Sequence, residues 1–167
     1  MKPGDIDQEF LELVNRYQPV IHKVCWIYAD SLEDRQDLFQ EILFQLWRSY
    51  PSFQGKSNFS TWMYRIALNR AITALRRETA KPEHVELDAE RIETPAAAVA
   101  PTSGEQVELL YRLIRKLSRV ERALVMLYLE DLSYREMSEV LGLSESNIGV
   151  KLNRIKAKLQ ELAQEAK

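Results

Sequence analysis

SYREMSEVLGLSESNIGVKLNRIKAK, Ser133 to Lys158, decides the fold. Ser133-Tyr134-Arg135-Glu136 has the spacing of a capping box, in which a serine hydroxyl and a glutamate each satisfy a backbone N–H at a helix start. Met137, Val140 and Leu141 follow at helical spacing, and Gly142 suits the left-handed residue that ends a helix. Ser144 is placed to cap a second, longer helix, on which Ile148, Leu152, Ile155, Leu159 and Leu162 form a narrow apolar stripe. Ser138 is small where the two helices should cross. A short helix, a tight turn at Gly142-Leu143 and a longer amphipathic helix together predict a helix-turn-helix.

The outward face of the second helix carries Asn147, Val150, Lys151, Arg154 and Lys158. Its first residues, Ser144, Glu145, Ser146 and Asn147, are placed to reach base edges in a major groove. A glutamate accepts from cytosine, an asparagine pairs with adenine and a valine touches a thymine methyl, which suits Glu145, Asn147 and Val150. Lys151, Arg154 and Lys158 suit phosphates, which position a protein without specifying sequence. The competing reading is a solvated basic face on an ordinary helical hairpin. The caps, the glycine turn and the small Ser138 favour DNA.

Upstream, Val107, Leu110, Tyr111, Ile114 and Leu117 form another stripe, and Ser118-Arg119-Val120-Glu121 repeats the capping box before Leu124, Leu127 and Tyr128. Ahead of these lies Lys81–Gly104, with three prolines, five acids against two bases and no apolar period. Its composition predicts a flexible linker; the alternative is an ordered surface loop. Two helical domains are therefore expected, 1–80 and 105–167, with a linker over 81–104, and the fold class is all-α.

In the first domain a helix should begin near Asp7, with Phe10, Leu13, Val14 and Tyr17 in register. Pro19 predicts a break or a fresh start, after which Val20, Ile21, Val24 and Ile27 continue the pattern. A third segment, Asp34 to Ser49, opens on Glu33, Asp34 and Asp37, acids that complement the positive end of a helix. Leu38, Phe39, Ile42, Leu43, Leu46 and Trp47 span a broad apolar arc, and Phe44 lies outside it. Such an arc fits a central buried helix, or a helix with one edge that docks on another protein.

FSTWMYRIALNRAITALRR, Phe59 to Arg77, holds four arginines and no acid. On a helix, Met63, Tyr64, Ala67, Leu68, Ala71, Ala74 and Leu75 share one face; Trp62, Arg65, Asn69, Thr73 and Arg76 share the other. A flat aromatic beside cations suits stacking on unpaired bases while arginines meet phosphates. The preceding loop supplies Phe53, Gln54, Lys56, Ser57 and Asn58. Phe59 is expected to staple the helix onto the core, whereas Trp62 is expected to face a ligand.

The 167 residues are 46% apolar and 29% charged with net charge −2, as for a packed protein whose bases are concentrated locally. A single cysteine, Cys25, excludes an internal disulfide and is expected to be buried, which fits a reducing cytoplasm. No apolar run nears the ~20 residues of a membrane span, and the polar start MKPGDIDQEF predicts no secretory signal. His22 and His84 are far apart, no nucleophile elbow or phosphate-binding glycine loop occurs, and neither metal, cofactor nor catalysis is expected.

Together, DLFQEILFQLW (Asp37–Trp47), FSTWMYRIALNRAI (Phe59–Ile72) and LSYREMSEVLGLSESNIGVKLNRIKAKL (Leu132–Leu159) resemble the extracytoplasmic-function sigma factors of bacteria. The resemblance implies a cytoplasmic transcription initiation subunit with two helical domains and no enzymatic activity. It implies that Asp37, Leu38, Gln40, Glu41 and Trp47 dock on the clamp helices of the polymerase β′ subunit. Phe53, Gln54, Lys56, Ser57 and Asn58 would capture a flipped minus-ten base, while Trp62, Arg65, Asn69, Arg76 and Arg77 would hold the melted strand. Ser144, Glu145, Ser146, Asn147, Val150, Lys151, Arg154 and Lys158 would read the minus-thirty-five duplex. The β flap and an anti-sigma factor are the further implied partners. Thr73 and Gly149 depart from the family, which often has aspartate and lysine there. Two other readings remain at this level: a helix-turn-helix regulator of duplex operators independent of polymerase, and a helical interaction adaptor using Leu38–Trp47.

Overall fold

The computed structural model describes residues 3–53, 55–79 and 104–166. Its elements are α1 (Pro3–Tyr28), α2 (Leu32–Ser49), a single 3-10 turn (Tyr50–Ser52), α3 (Phe59–Thr79), α4 (Gly104–Ile114), α5 (Arg119–Leu129), α6 (Tyr134–Leu141) and α7 (Glu145–Glu165). The described residues form no strand, as the all-α expectation requires. The chain divides into two compact units, Met1–Pro95 and Ala96–Lys167. Of the expected linker only Gly104 is among the described residues, and it opens α4.

In the first unit α1, α2 and α3 each pack on the other two. Ile21, Ile42, Leu46, Met63 and Leu68 are fully buried between them. Burying such a side chain stabilises by roughly 1.5–3 kcal/mol, so these positions dominate the unit's cohesion. The arginine-rich helix buries Met63, Tyr64, Ala67, Leu68 and Ala71 as its spacing predicts, with Ala74 and Leu75 half-buried.

Pro19 breaks nothing: α1 runs unbroken from Pro3 to Tyr28 with Pro19 inside it. A proline in a helix interior costs about 3 kcal/mol. Phe10, Val14, Ile21, Val24 and Ile27 are buried on both sides of it, and their packing outweighs that cost, while Pro19 itself is exposed to solvent. Helix α2 starts at Leu32, two residues before the expected Asp34, because Ser31 is the cap; its Oγ accepts from the Asp34 N–H at 3.0 Å.

In the second unit α7 packs on α4, α5 and α6 around Ile114, Leu124, Leu127, Met137, Ile148, Leu152 and Ile155. Both capping boxes form, Ser118 with Glu121 and Ser133 with Glu136. Gly142 adopts φ 71° and closes α6, and Ser144 Oγ accepts from the Asn147 N–H at 3.1 Å to open α7. The Ser138 hydroxyl donates to the Leu143 carbonyl at 2.6 Å, so this small residue ties the turn to α6. Tyr128, expected in the α5 stripe, is instead 41% exposed, with the Lys156 ammonium 4.5 Å above its ring.

Candidate nucleic-acid interface

The solvent side of α2 offers the first surface. Leu38, Ile42 and Leu46 point inward, and Leu38 is only 5% exposed, so it is a core residue rather than an open docking group. Asp37, Gln40 and Glu41 are exposed, as are Phe44 at 59% and Trp47 at 45%. The apolar arc thus resolves into buried Leu38, Ile42 and Leu46, half-buried Phe39 and Leu43, and an exposed Trp47, with Phe44 exposed beyond its edge. Trp47 leans edge-on against Phe10 of α1, with ring centres 5.2 Å apart. Asp34, Asp37 and Glu41 rim a shallow acidic cleft of about 150 Å³ floored by Leu38 and bounded by Ala74 and Leu75 of α3. Glu41 also pairs with Arg70 of α3.

Arg35 positions the start of α2, a role that sequence reasoning missed. Its guanidinium is buried and lies 3.7 Å from the centre of the Trp26 ring. Nε donates to the Ala29 carbonyl at 3.0 Å and Nη2 to the Asp30 carbonyl at 3.1 Å. A carbonyl just beyond a helix end lies outside the helical hydrogen-bond ladder, and where it is buried it must find a donor. Arg122 does the same in the second unit: its Nε donates to the Leu117 carbonyl at 3.0 Å, and its Nη2 donates to the Arg115 carbonyl. In both cases the signal is an arginine in the first turn of a helix, where a cation opposes the dipole unless it has other partners.

The second surface lies where the 3-10 turn leads into α3. Tyr50, Phe53, Phe59 and Trp62 form one aromatic cluster, with Phe53 to Trp62 at 5.0 Å, Phe59 to Trp62 at 5.4 Å and Tyr50 to Trp62 at 6.2 Å. Phe59 also packs on Tyr17 of α1 at 5.4 Å, which is the stapling role expected of it. Trp62 is half-buried: the cluster holds one part of its ring and leaves the rest at the edge of the polar face. Lys56 and Asn58 are exposed, Ser57 is half-buried, and Gln54 lies outside the described residues. Asn58 opens α3, its carbonyl accepting from the Trp62 N–H at 3.1 Å.

Along α3, Arg65 and Asn69 are exposed on the same face as Trp62. Thr73 is exposed there too, and its hydroxyl donates back to the Asn69 carbonyl at 2.8 Å. Where an aspartate would add negative charge, Thr73 adds none. Arg76 and Arg77 fall in α3, with side chains outside the described part of the structure. This surface therefore combines an aromatic edge, an amide and a cation, the combination that holds unpaired bases by stacking and by edge hydrogen bonds.

The third surface is the start of α7. Ser144, Glu145, Ser146, Asn147, Val150 and Arg154 are all exposed, and Val150 is 49% exposed despite being apolar. Lys151 is half-buried. Lys158 reaches away from the row, its Nζ 3.2 Å from Glu121 Oε2 on α5. Burial raises the Glu121 carboxyl, but the Ser118 backbone N–H and the Lys158 ammonium outweigh it, so the net shift is downward. Gly149 faces Tyr134, whose ring lies 3.4 Å from where a Cβ at 149 would stand.

The Sigma-70 region 2 family matches residues 13–81, and the Sigma-70 region 4 family matches residues 107–159. The chain is 28% identical to the ECF RNA polymerase sigma factor SigW of Bacillus subtilis, over 92% of this chain and 88% of that one. It is 30% identical to the ECF RNA polymerase sigma-E factor of Escherichia coli K12, over 84% of this chain and 78% of that one. Among solved structures, the sigma factor RpoE of Bartonella quintana, bound to the anti-sigma factor NepR, superposes with a TM-score of 0.76 at 22% identity, covering 94% of this chain and 98% of that one. CnrH in complex with the cytosolic domain of CnrY superposes with a TM-score of 0.70 at 20% identity, covering 96% and 91%. A capped helix-turn-helix, a cationic helix beside an aromatic cluster and relatives matched along most of their length agree: the chain belongs to the extracytoplasmic-function family of RNA polymerase sigma factors, the alternative subunits that direct the core enzyme to promoters.

Proposed function

We propose that the first unit docks on core polymerase through α2 and holds the melted minus-ten element on α3, while the second unit reads the minus-thirty-five duplex with α7. On α2 the contacts fall to Asp37, Gln40, Glu41 and Trp47 against the β′ clamp helices, with Phe44 beside them and Leu38 supporting the helix from within. At the minus-ten element, Phe53–Asn58 capture a flipped base while Trp62 stacks and Arg65, Asn69, Arg76 and Arg77 follow the strand. At the minus-thirty-five element, Ser144–Asn147 and Val150 meet base edges, and Lys151 and Arg154 meet phosphates. Lys158 is the weakest member of that set, because Glu121 already engages it. The second unit also meets the β flap in this reading.

One observation carries the proposal: the exposed face of α3 begins at a half-buried tryptophan in an aromatic cluster and continues through Arg65 and Asn69. A duplex-only regulator has no use for such a face. The chain catalyses no covalent step here; binding energy favours the open promoter and so shifts the melting equilibrium. Promoter work places the chain in the cytoplasm, and an anti-sigma factor, the partner type named for the Bartonella relative, is its expected restraint.

The test is run-off transcription by core polymerase with and without the chain on a promoter library. Promoter-specific transcripts are expected, and no stimulation on any promoter would sink the reading. Trp62→Ala should impair permanganate-detected melting more than duplex binding by the minus-thirty-five reader, since stacking on one base contributes roughly 1–3 kcal/mol.

A further inference from the structure

We propose that Tyr50 is a positioning residue that fixes Phe53, the first residue of the base-capturing segment, an inference that rests on reading that segment as the minus-ten contact. Tyr50 stands at the end of α2 and opens the 3-10 turn, and it is 9% exposed. Four aromatic rings surround it: Phe10 at 5.2 Å, Trp62 at 6.2 Å, Phe53 at 6.3 Å and Phe59 at 6.4 Å. These rings come from α1, from the first residue of the segment and from α3, so a single side chain joins all three. Burial, and after it the nearby Glu9 carboxylate on α1, hold its hydroxyl above the ordinary tyrosine range.

The backbone repeats the arrangement. The Phe53 N–H donates to the Tyr50 carbonyl at 2.9 Å, which turns the chain so that the Phe53 ring packs against both Phe59 and Trp62. Phe53 is thus held at its amide by Tyr50 and at its ring by the cluster that Tyr50 organises. Aromatic pairs of this kind contribute beyond the area they bury, so loss of the central ring weakens several neighbours at once. A loop freed at its first residue regains conformational entropy and must lose it again on binding a base, which lowers selectivity at that base.

The experiment uses holoenzyme and a promoter set substituted one position at a time through both elements. Wild-type, Tyr50→Phe, Tyr50→Leu and Asn58→Ala chains are compared by run-off transcription and by affinity for core. The wild type should discriminate roughly tenfold or more at the captured minus-ten base. Tyr50→Leu should reduce that ratio to about twofold or less while core affinity and the ratios at minus-thirty-five positions persist. Tyr50→Phe keeps the ring and should keep the ratio. A retained ratio in Tyr50→Leu, or an equal loss at every position, would overturn the inference. Should Tyr50→Leu weaken core affinity, the same ratios are read at a concentration of the chain that saturates core, and the criterion is unchanged. Asn58→Ala separates the two levels. If it leaves every ratio intact, the reading of the segment falls; if it abolishes the ratio that Tyr50→Leu retains, only the role of Tyr50 falls.

Discussion

Glu41 Oε2 lies 3.1 Å from Arg70 Nε, and the pair joins α2 to α3 at the surface of the first unit. The side chains are 47% and 28% exposed, so solvent and salt screen the attraction. The pair is therefore exchangeable: Glu41 can turn to a partner at little cost to the fold. A double-mutant cycle with Glu41→Gln and Arg70→Gln, followed by urea unfolding, should give a coupling below about 1 kcal/mol that shrinks with added salt. A coupling several times larger would make Glu41 a structural residue and remove it from the docking set.

Two glycines of the second unit should respond to alanine with opposite signs. At Gly142 a Cβ would meet no atom within 4 Å, but φ is +71°, so the cost of Gly142→Ala lies in the backbone, at about 1–2 kcal/mol. At Gly149 the backbone is helical and a Cβ would sit in ordinary contact with the Tyr134 ring, 3.4 Å away. Gly149→Ala should therefore stabilise by up to about 1 kcal/mol. Urea midpoints of the two variants, shifted in opposite directions, check this.

Glu121 couples pH to stability. Its folded carboxyl is held below its ordinary value because Ser118 and Lys158 outweigh the desolvation that would raise it. A depressed carboxyl stabilises the fold above the unfolded value and loses that contribution as pH falls through the folded value. Unfolding free energy should thus decline as the solution is acidified below about pH 4.5, and Glu121→Gln should flatten that decline. An unchanged slope in the variant would count against the clasp.

Salt dependence ranks the cations of α7. Removing one cation from a phosphate should reduce the slope of log affinity against log salt by about one. Arg154→Ala and Lys151→Ala should each show that change for holoenzyme on promoter DNA. Lys158→Ala should show less, because its ammonium is committed to Glu121.

Local chemistry makes much of the fold legible. The capping boxes at Ser118 and Ser133, the glycine stop at 142 and the apolar faces of α3 and α7 follow from short-range rules, and tertiary packing agrees with them. Pro19 misleads because its penalty is local while the burial that outweighs it, from Phe10 to Ile27, is distributed over the helix. Arg35 and Arg122 are illegible for the converse reason: the carbonyls they satisfy belong to the preceding helix ends and are specified only once the chain has turned. At the candidate surfaces, spacing alone puts Trp62, Arg65 and Asn69 on a shared face. It does not separate Leu38, which belongs to the core, from Trp47, which does not, since both are apolar on one arc. Nor does it show that Tyr50, which lies between the Asp37–Trp47 and Phe59–Ile72 motifs and belongs to neither, stands at the centre of the aromatic cluster.

Cys25 lies 2% exposed within α1, and burial, only partly offset by Arg35 and a backbone hydrogen bond, pushes its thiol up to about 12. The thiolate is the reactive form, so this sulfur is inert toward peroxide and disulfide exchange while the fold is intact. Iodoacetamide at mildly alkaline pH should label the denatured chain and spare the native one. An oxidant signal would therefore not reach promoter choice through Cys25 while α1 stays folded.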